Sequence, residues 1–259
     1  PPVRLTAGGE TIRILAGPNG SIQGPCEAKW GYTVPSVADW DHDGVADIVL
    51  NSIWGKIVWY RGVQGSGDGG PQLEPARPVE VAWEGTNPKP AWNWWDPEGD
   101  ALVTQWRTTP LVEDLDRDGL NDLVMLDVEG YLAWFRRARR DGELVLLPPE
   151  RVFHDEQGSA LQLNDGHAGK SGRRKFVLVD FDGDGKRDLI TNSRPNVDFW
   201  RNVGASESDW QLKNEGPLSE RVLAGHTTCP TMIDLDGDGS PELLVGAEDG
   251  LLYRFVPQP

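Results

Sequence analysis

Asp39-Trp-Asp-His-Asp-Gly-Val-Ala-Asp47 is the first of four near-copies of one acidic segment. The others are Asp114-Leu-Asp-Arg-Asp-Gly-Leu-Asn-Asp122, Asp180-Phe-Asp-Gly-Asp-Gly-Lys-Arg-Asp188 and Asp234-Leu-Asp-Gly-Asp-Gly-Ser-Pro-Glu242. Carboxylates stand at positions one, three, five and nine of each segment: Asp39, Asp41, Asp43, Asp47; Asp114, Asp116, Asp118, Asp122; Asp180, Asp182, Asp184, Asp188; and Asp234, Asp236, Asp238, Glu242. With a backbone carbonyl from position seven they form the hard oxygen set that Ca2+ prefers, and the glycine at position six permits the sharp turn. The reading is four structural calcium loops. A helical calcium hand would place Glu at position twelve, where this chain has Leu50, Met125, Thr191 and Val245. These are therefore not EF-hands.

Each loop is followed by an apolar run, a short turn and a second, aromatic run. In the first repeat these are Asp47-Ile-Val-Leu50 and Ile57-Val-Trp-Tyr-Arg61, and the pattern recurs through Leu132-Ala-Trp-Phe-Arg136, Asp198-Phe-Trp-Arg201 and Leu252-Tyr-Arg-Phe255. Two short runs joined by a turn predict a hairpin. A repeat of this length without helical period predicts a radial array of small sheets, one blade to each repeat. The four loops and their hairpins resemble the FG-GAP, or VCBS-type, repeat family of β-propellers over about residues 29–256. That resemblance implies an all-β fold in which the acidic loop joins the first and second strands of a blade.

A fourth strand is expected at Pro78–Trp83, Glu150–His154 and Glu220–Gly225, and the last repeat ends without one. Thr11–Gly17 echoes Arg221–Gly225 and can complete the last blade, leaving no long free edge. The expectation is one domain over 1–259, with blades at about 29–84, 104–154 and 173–225, and a last blade at 226–257 completed by 11–17. The rival arrangement is a segment of a ring of seven or eight blades.

The net charge is −16, yet the four loops hold sixteen of the 41 acidic residues, and the remaining 25 match the 25 Lys and Arg. The acidity is thus a metal signature, four bound Ca2+ would bring the total to −8, and nothing offers the basic face that nucleic acid needs. No apolar run reaches membrane-spanning length. Calcium sites of this kind fill where the ion is abundant, so a secreted or cell-surface, monomeric protein is expected. Cys26 and Cys229 would lie on neighbouring blades of a closed ring. A disulfide between them and a pair of buried thiols stand as alternatives.

In a propeller the links between blades lie on the face opposite the calcium loops. Here those links are long, Pro18–Gly31, Glu84–Arg107 and Asp155–Lys175, and long loops on a rigid scaffold are where binding and chemistry reside. They carry Trp30, Tyr32, Trp92, Trp94, Trp95, Trp106, Arg107, Lys170, Arg173 and Arg174. Indole faces on which sugar rings stack, with polar groups beside them, predict a polysaccharide or glycan partner. Trp59, Trp134 and Trp200 recur at blade spacing and read as packing. Some propellers of related repeat type are polysaccharide lyases, and that resemblance assigns candidate roles. Arg107, Lys170, Arg173 or Arg174 would hold a uronate carboxylate, His167 or His226 would be the base, and Tyr32 the acid. A glycosidase pair among Asp96, Glu98, Asp100 and Asp165 is a second enzymatic reading. A lectin-like or protein-binding platform without chemistry is the third.

Overall fold

The computed structural model describes residues 3–17, 27–65, 72–88, 95–164, 173–223, 227–237, 239 and 241–255. Among the described residues the fold is all-β: short strands, one 3-10 turn at Glu27–Lys29, and several small sheets, none of them closed. Among the described residues no helix is long and apolar enough to cross a membrane. Two compact units divide the chain, Pro1–Arg151 with Gln162–Gly172, and Val152–Leu161 with Arg173–Pro259.

In the first unit the strand after each acidic loop lies at the centre of its sheet. Asp47–Asn51 runs antiparallel between Pro35–Ala38 and Ile57–Tyr60, with Arg77–Pro78 on the outer side. Asp122–Leu126 lies likewise between Leu111–Glu113 and Leu132–Phe135. Every residue of Asp122–Leu126 is buried. That explains a continuous apolar run where a strand with one wet face would alternate. Val49, Ile57, Leu123, Met125 and Phe135 form one core with Trp40, Val79, Val81, Leu102 and Leu146, against which Trp59 packs as expected.

In the second unit Phe176–Val179, Asp188–Asn192 and Val197–Asn202 repeat the pattern, followed by Gln211–Pro217 and, in parallel, His154–Asp155. The last sheet is Cys229–Ile233, Glu242–Gly246 and Leu252–Phe255. Ile190, Val197, Phe199, Leu223, Leu243 and Val245 form this unit's core.

Several expected strands are placed differently. The outer strand of the third repeat is Gln211–Pro217, not Glu220–Gly225. Leu212 is its one buried side chain and the rest is mostly exposed with little apolar content, so hydrophobic pattern could not reveal it. Of Glu150–His154, only Glu150 pairs with Trp134, while His154 pairs with Gln211. Within the first unit, the described part of the segment expected to complete the last repeat makes local pairings. Thr11 pairs with Thr6 in an N-terminal hairpin whose Ala7 pairs with Leu73, and the Ala16 amide donates to the Trp30 carbonyl at 2.9 Å. Cys229 is a free thiol whose pKa burial raises, and Cys26 lies outside the described residues.

Candidate functional site

The acidic loops are built by their own amides. Position one collects the turn: Asp39 accepts from the Asp43 and Gly44 amides, both at 2.9 Å, and Asp114 from Asp118 and Gly119 at 3.1 and 2.9 Å. Asp180 and Asp234 do the same in the second unit, each accepting from its Gly185 or Gly239 at 3.0 and 2.9 Å. Gly44 holds φ +86°, in the left-handed region that glycine enters without steric cost.

Position nine does more than offer a ligand. Asp47 Oδ2 accepts from the Trp40 amide at 2.8 Å, while its Oδ1 accepts from Gly62 on the far side of the hairpin at 2.6 Å. Asp122 ties Leu115 to Arg137 at 3.0 and 2.6 Å, and Asp188 ties Phe181 to Asn202 at 3.0 and 2.7 Å. All three carboxylates are fully buried. Burial raises each pKa, to about 6 for Asp122 and Asp188, although the donated amides pull the other way. Sequence reading took these residues for ligands alone and missed this clasp, because its far partner lies fourteen or fifteen residues on.

Three clusters bring carboxylate oxygens within 4.8 Å of one another: Asp39, Asp41 and Asp43; Asp114, Asp116 and Asp122; Asp180, Asp182 and Asp188. Two oxygens each about 2.4 Å from one calcium ion can be at most about 4.8 Å apart, so the spacing fits the ion. Asp41 Oδ1 is buried with no hydrogen-bond partner, which leaves it for a cation. The donor set, oxygen throughout, suits a hard cation. In the fourth loop Asp238 lies outside the described residues, and Glu242 accepts from the Leu235 amide at 2.9 Å and pairs with Arg254. Leu235 is exposed, whereas Trp40 at the same loop position is buried.

Of the predicted ligand-binding residues, the first unit brings Tyr32, Trp95, Trp106 and Arg107 together. They gather at the Ser52–Lys56 turn, which joins the second and third strands and so lies at the end of the first sheet opposite its acidic loop. Trp54 and Ile53 supply the buried floor. The Trp54 indole donates to the Ala16 carbonyl at 2.8 Å and the Trp95 indole to the Trp54 carbonyl at 3.0 Å. Gly55 has φ +80° and meets Gln105 so closely that a Cβ would come within 2.6 Å of its carbonyl oxygen. Only glycine lets the segment ending in Gln105-Trp106-Arg107 settle there.

Arg107 is buried and ion-paired. It is 8% exposed, and its Nη2 bonds Glu27 Oε1 at 2.5 Å. Its guanidinium lies 4.2 Å from the Tyr32 ring centroid and 4.4 Å from that of Trp106. The Tyr32 hydroxyl donates to the same Glu27 oxygen at 3.2 Å. A buried arginine already neutralised by a carboxylate organises the site rather than gripping a substrate from the surface. Glu27 was the residue sequence reading missed.

Beside this cluster Trp30 is 52% exposed and meets Tyr32 edge to face at 5.8 Å. A cavity of about 190 Å³ is lined by Lys56, Trp95, Asp96, Glu98 and Leu102, with the Lys56 amine 5.1 Å from the Trp95 ring centroid. Arg173 and Arg174 belong to the second unit, at the end of Asp188–Asn192 away from its loop, where Asn192 donates to the Arg173 carbonyl at 2.9 Å. Trp92, Trp94, Asp165, His167, Lys170 and His226 lie outside the described residues.

An FG-GAP-like repeat is found at residues 180–245, spanning the third and fourth acidic loops. No curated protein matches the chain. Among solved structures the chain is similar to an Agrocybe aegerita lectin that recognises non-reducing terminal N-acetylglucosamine, at 19% identity and a TM-score of 0.41 over 85% of this chain. It is also similar to the Photorhabdus luminescens Tc holotoxin pore, at 19% identity and a TM-score of 0.41, again over 85% of this chain. The chain spans 49% of the lectin and 9% of the toxin chain.

Proposed function

We propose that the protein is a calcium-loaded, exported β-propeller of four blades that binds a glycan at the end of its sheets opposite the acidic loops. The observation that carries the binding reading is the arrangement around Trp30: an exposed indole set edge to face on Tyr32, which the buried Arg107–Glu27 pair holds in place. A rigid apolar face with a wet rim is what a sugar ring stacks on. The neighbouring cavity supplies Asp96, Glu98 and Lys56 for hydroxyl hydrogen bonds. Calcium is supported by the carboxylate spacing and by the partnerless Asp41 Oδ1. It would be held by the position-one and position-three carboxylates, joined by position five in the first loop and by position nine in the second and third, and when bound would offset their mutual repulsion.

Binding without cleavage is favoured over β-elimination. Arg107 is neutralised by Glu27, and the Tyr32 hydroxyl donates to that same carboxylate. Cleavage would therefore have to draw its cation and base from Lys170, Arg173, Arg174, His167 or His226. Incubation with a panel of acidic and neutral polysaccharides, read both by binding and by the absorbance of unsaturated uronates, tests both readings. Retention on at least one polysaccharide, lost in Trp30→Ala, supports glycan binding, and new absorbance would replace it with the lyase. Absence of retention and of new absorbance on every member overturns both.

A further inference from the structure

The aromatic strand of each of the first three repeats ends in an arginine that returns to its own acidic loop. Arg61 Nε meets Asp41 Oδ2 at 2.5 Å, Arg136 Nη2 meets Asp116 Oδ2 at 2.9 Å, and Arg201 Nε meets Asp182 Oδ2 at 3.2 Å. In every case position three is contacted through Oδ2; Arg61 Nη2 also meets Asp43 Oδ2 at 2.6 Å, and Arg136 Nη2 lies 3.7 Å from Asp118 Oδ2, both at position five. The other oxygen faces the loop: Asp41 Oδ1 is buried without a partner, and Asp116 Oδ1 and Asp182 Oδ1 accept from the position-five amides at 3.2 and 3.1 Å. Strand register sets this up. Tyr60 stands opposite Ile48, Phe135 opposite Leu123 and Trp200 opposite Leu189, so the next residue comes level with position nine of the loop. In the last repeat Phe255 stands opposite Leu243, and Arg254 pairs instead with Glu242.

We propose that Arg61, Arg136 and Arg201 are positioning residues for the metal loops: each grips the outer oxygen of the position-three carboxylate and so presents the inner oxygen to the ion. The inference rests on the calcium reading given above. Two effects oppose each other. Loss of an outer-shell partner weakens metal binding by about 10- to 100-fold. The guanidinium also opposes the ion through like charge, which water and salt screen at this part-exposed surface. Positioning must outweigh that repulsion for the proposal to hold.

The test is calorimetric titration with Ca2+ alone of the wild type, of a triple variant carrying Arg61→Met, Arg136→Met and Arg201→Met, and of the corresponding triple lysine variant. Lysine keeps the charge without the planar fork and should weaken binding at least about tenfold, while methionine removes both effects and should weaken it by less. An order of wild type, methionine, lysine is the expected result. Methionine binding tighter than wild type would show that only charge matters, and equal affinities would show a surface ion pair; either overturns the proposal. Wild type that takes up no Ca2+ would bring down the calcium reading first and this inference with it. Should the triple variants not fold, Arg61→Met and Arg61→Lys, titrated with terbium and read by luminescence excited through Trp40, give the same order at the first loop.

Discussion

Arg107 and Glu27 form an ion pair with side chains 6% and 7% exposed, and two of the arginine nitrogens, Nε and Nη1, are buried without a hydrogen-bond partner. Such a pair is costly to break because removing one member leaves the other charge buried alone. Arg107→Ala should therefore lower stability by about 3–5 kcal/mol, seen as a large fall in melting temperature. Trp30→Ala removes an exposed ring and should leave the melt unchanged while weakening glycan binding by about tenfold, measured by affinity electrophoresis on the polysaccharide that the wild type retains. The aromatic and cationic content of this cluster was legible in the sequence. Its internal neutralisation was not, because Glu27 lies eighty residues from Arg107 and nothing local marks their meeting.

At the scale of the element, loop, turn and hairpin act as one device, and the position-nine carboxylate is its pin. Asp122→Asn keeps the shape but turns one acceptor into a donor facing an amide of Leu115 or Arg137, costing about 1–3 kcal/mol. Ionisation adds a pH signature. The folded pKa of Asp122 and Asp188, about 6, lies above the unfolded 3.8. Their contribution is full below about 4 and is lost as pH rises through about 6. In chelator the protein should thus melt higher at pH 5 than at pH 7.5, and Asp122→Asn should flatten that slope; a melt that falls on acidification would contradict it. Gly55→Ala forces both an unfavourable φ and a clash with Gln105, so it should destabilise by more than about 1 kcal/mol in a denaturant titration. The central hairpins were readable because burial on both faces writes an unbroken apolar run. Gln211–Pro217 was not, since a strand that buries only Leu212 and whose other residues are mostly exposed and polar carries no such run.

For the molecule as a whole, periodicity foretold the repeated acidic loops and the carboxylates they offer, but not the N-terminal hairpin of Thr6–Ala7 with Glu10–Thr11. Thr11–Gly17 resembled an outer strand by composition, and short polar strands leave such pairings to long-range packing that no local pattern encodes. The central claim is that calcium pins these sheets through their acidic loops. Scanning calorimetry in saturating Ca2+ and in chelator at neutral pH tests it most directly. Each site filled at a hundredfold excess over its dissociation constant adds about 2.7 kcal/mol to stability, so the account predicts a melting temperature higher by many degrees in Ca2+ than in chelator. Identical melts in the two solutions would contradict it.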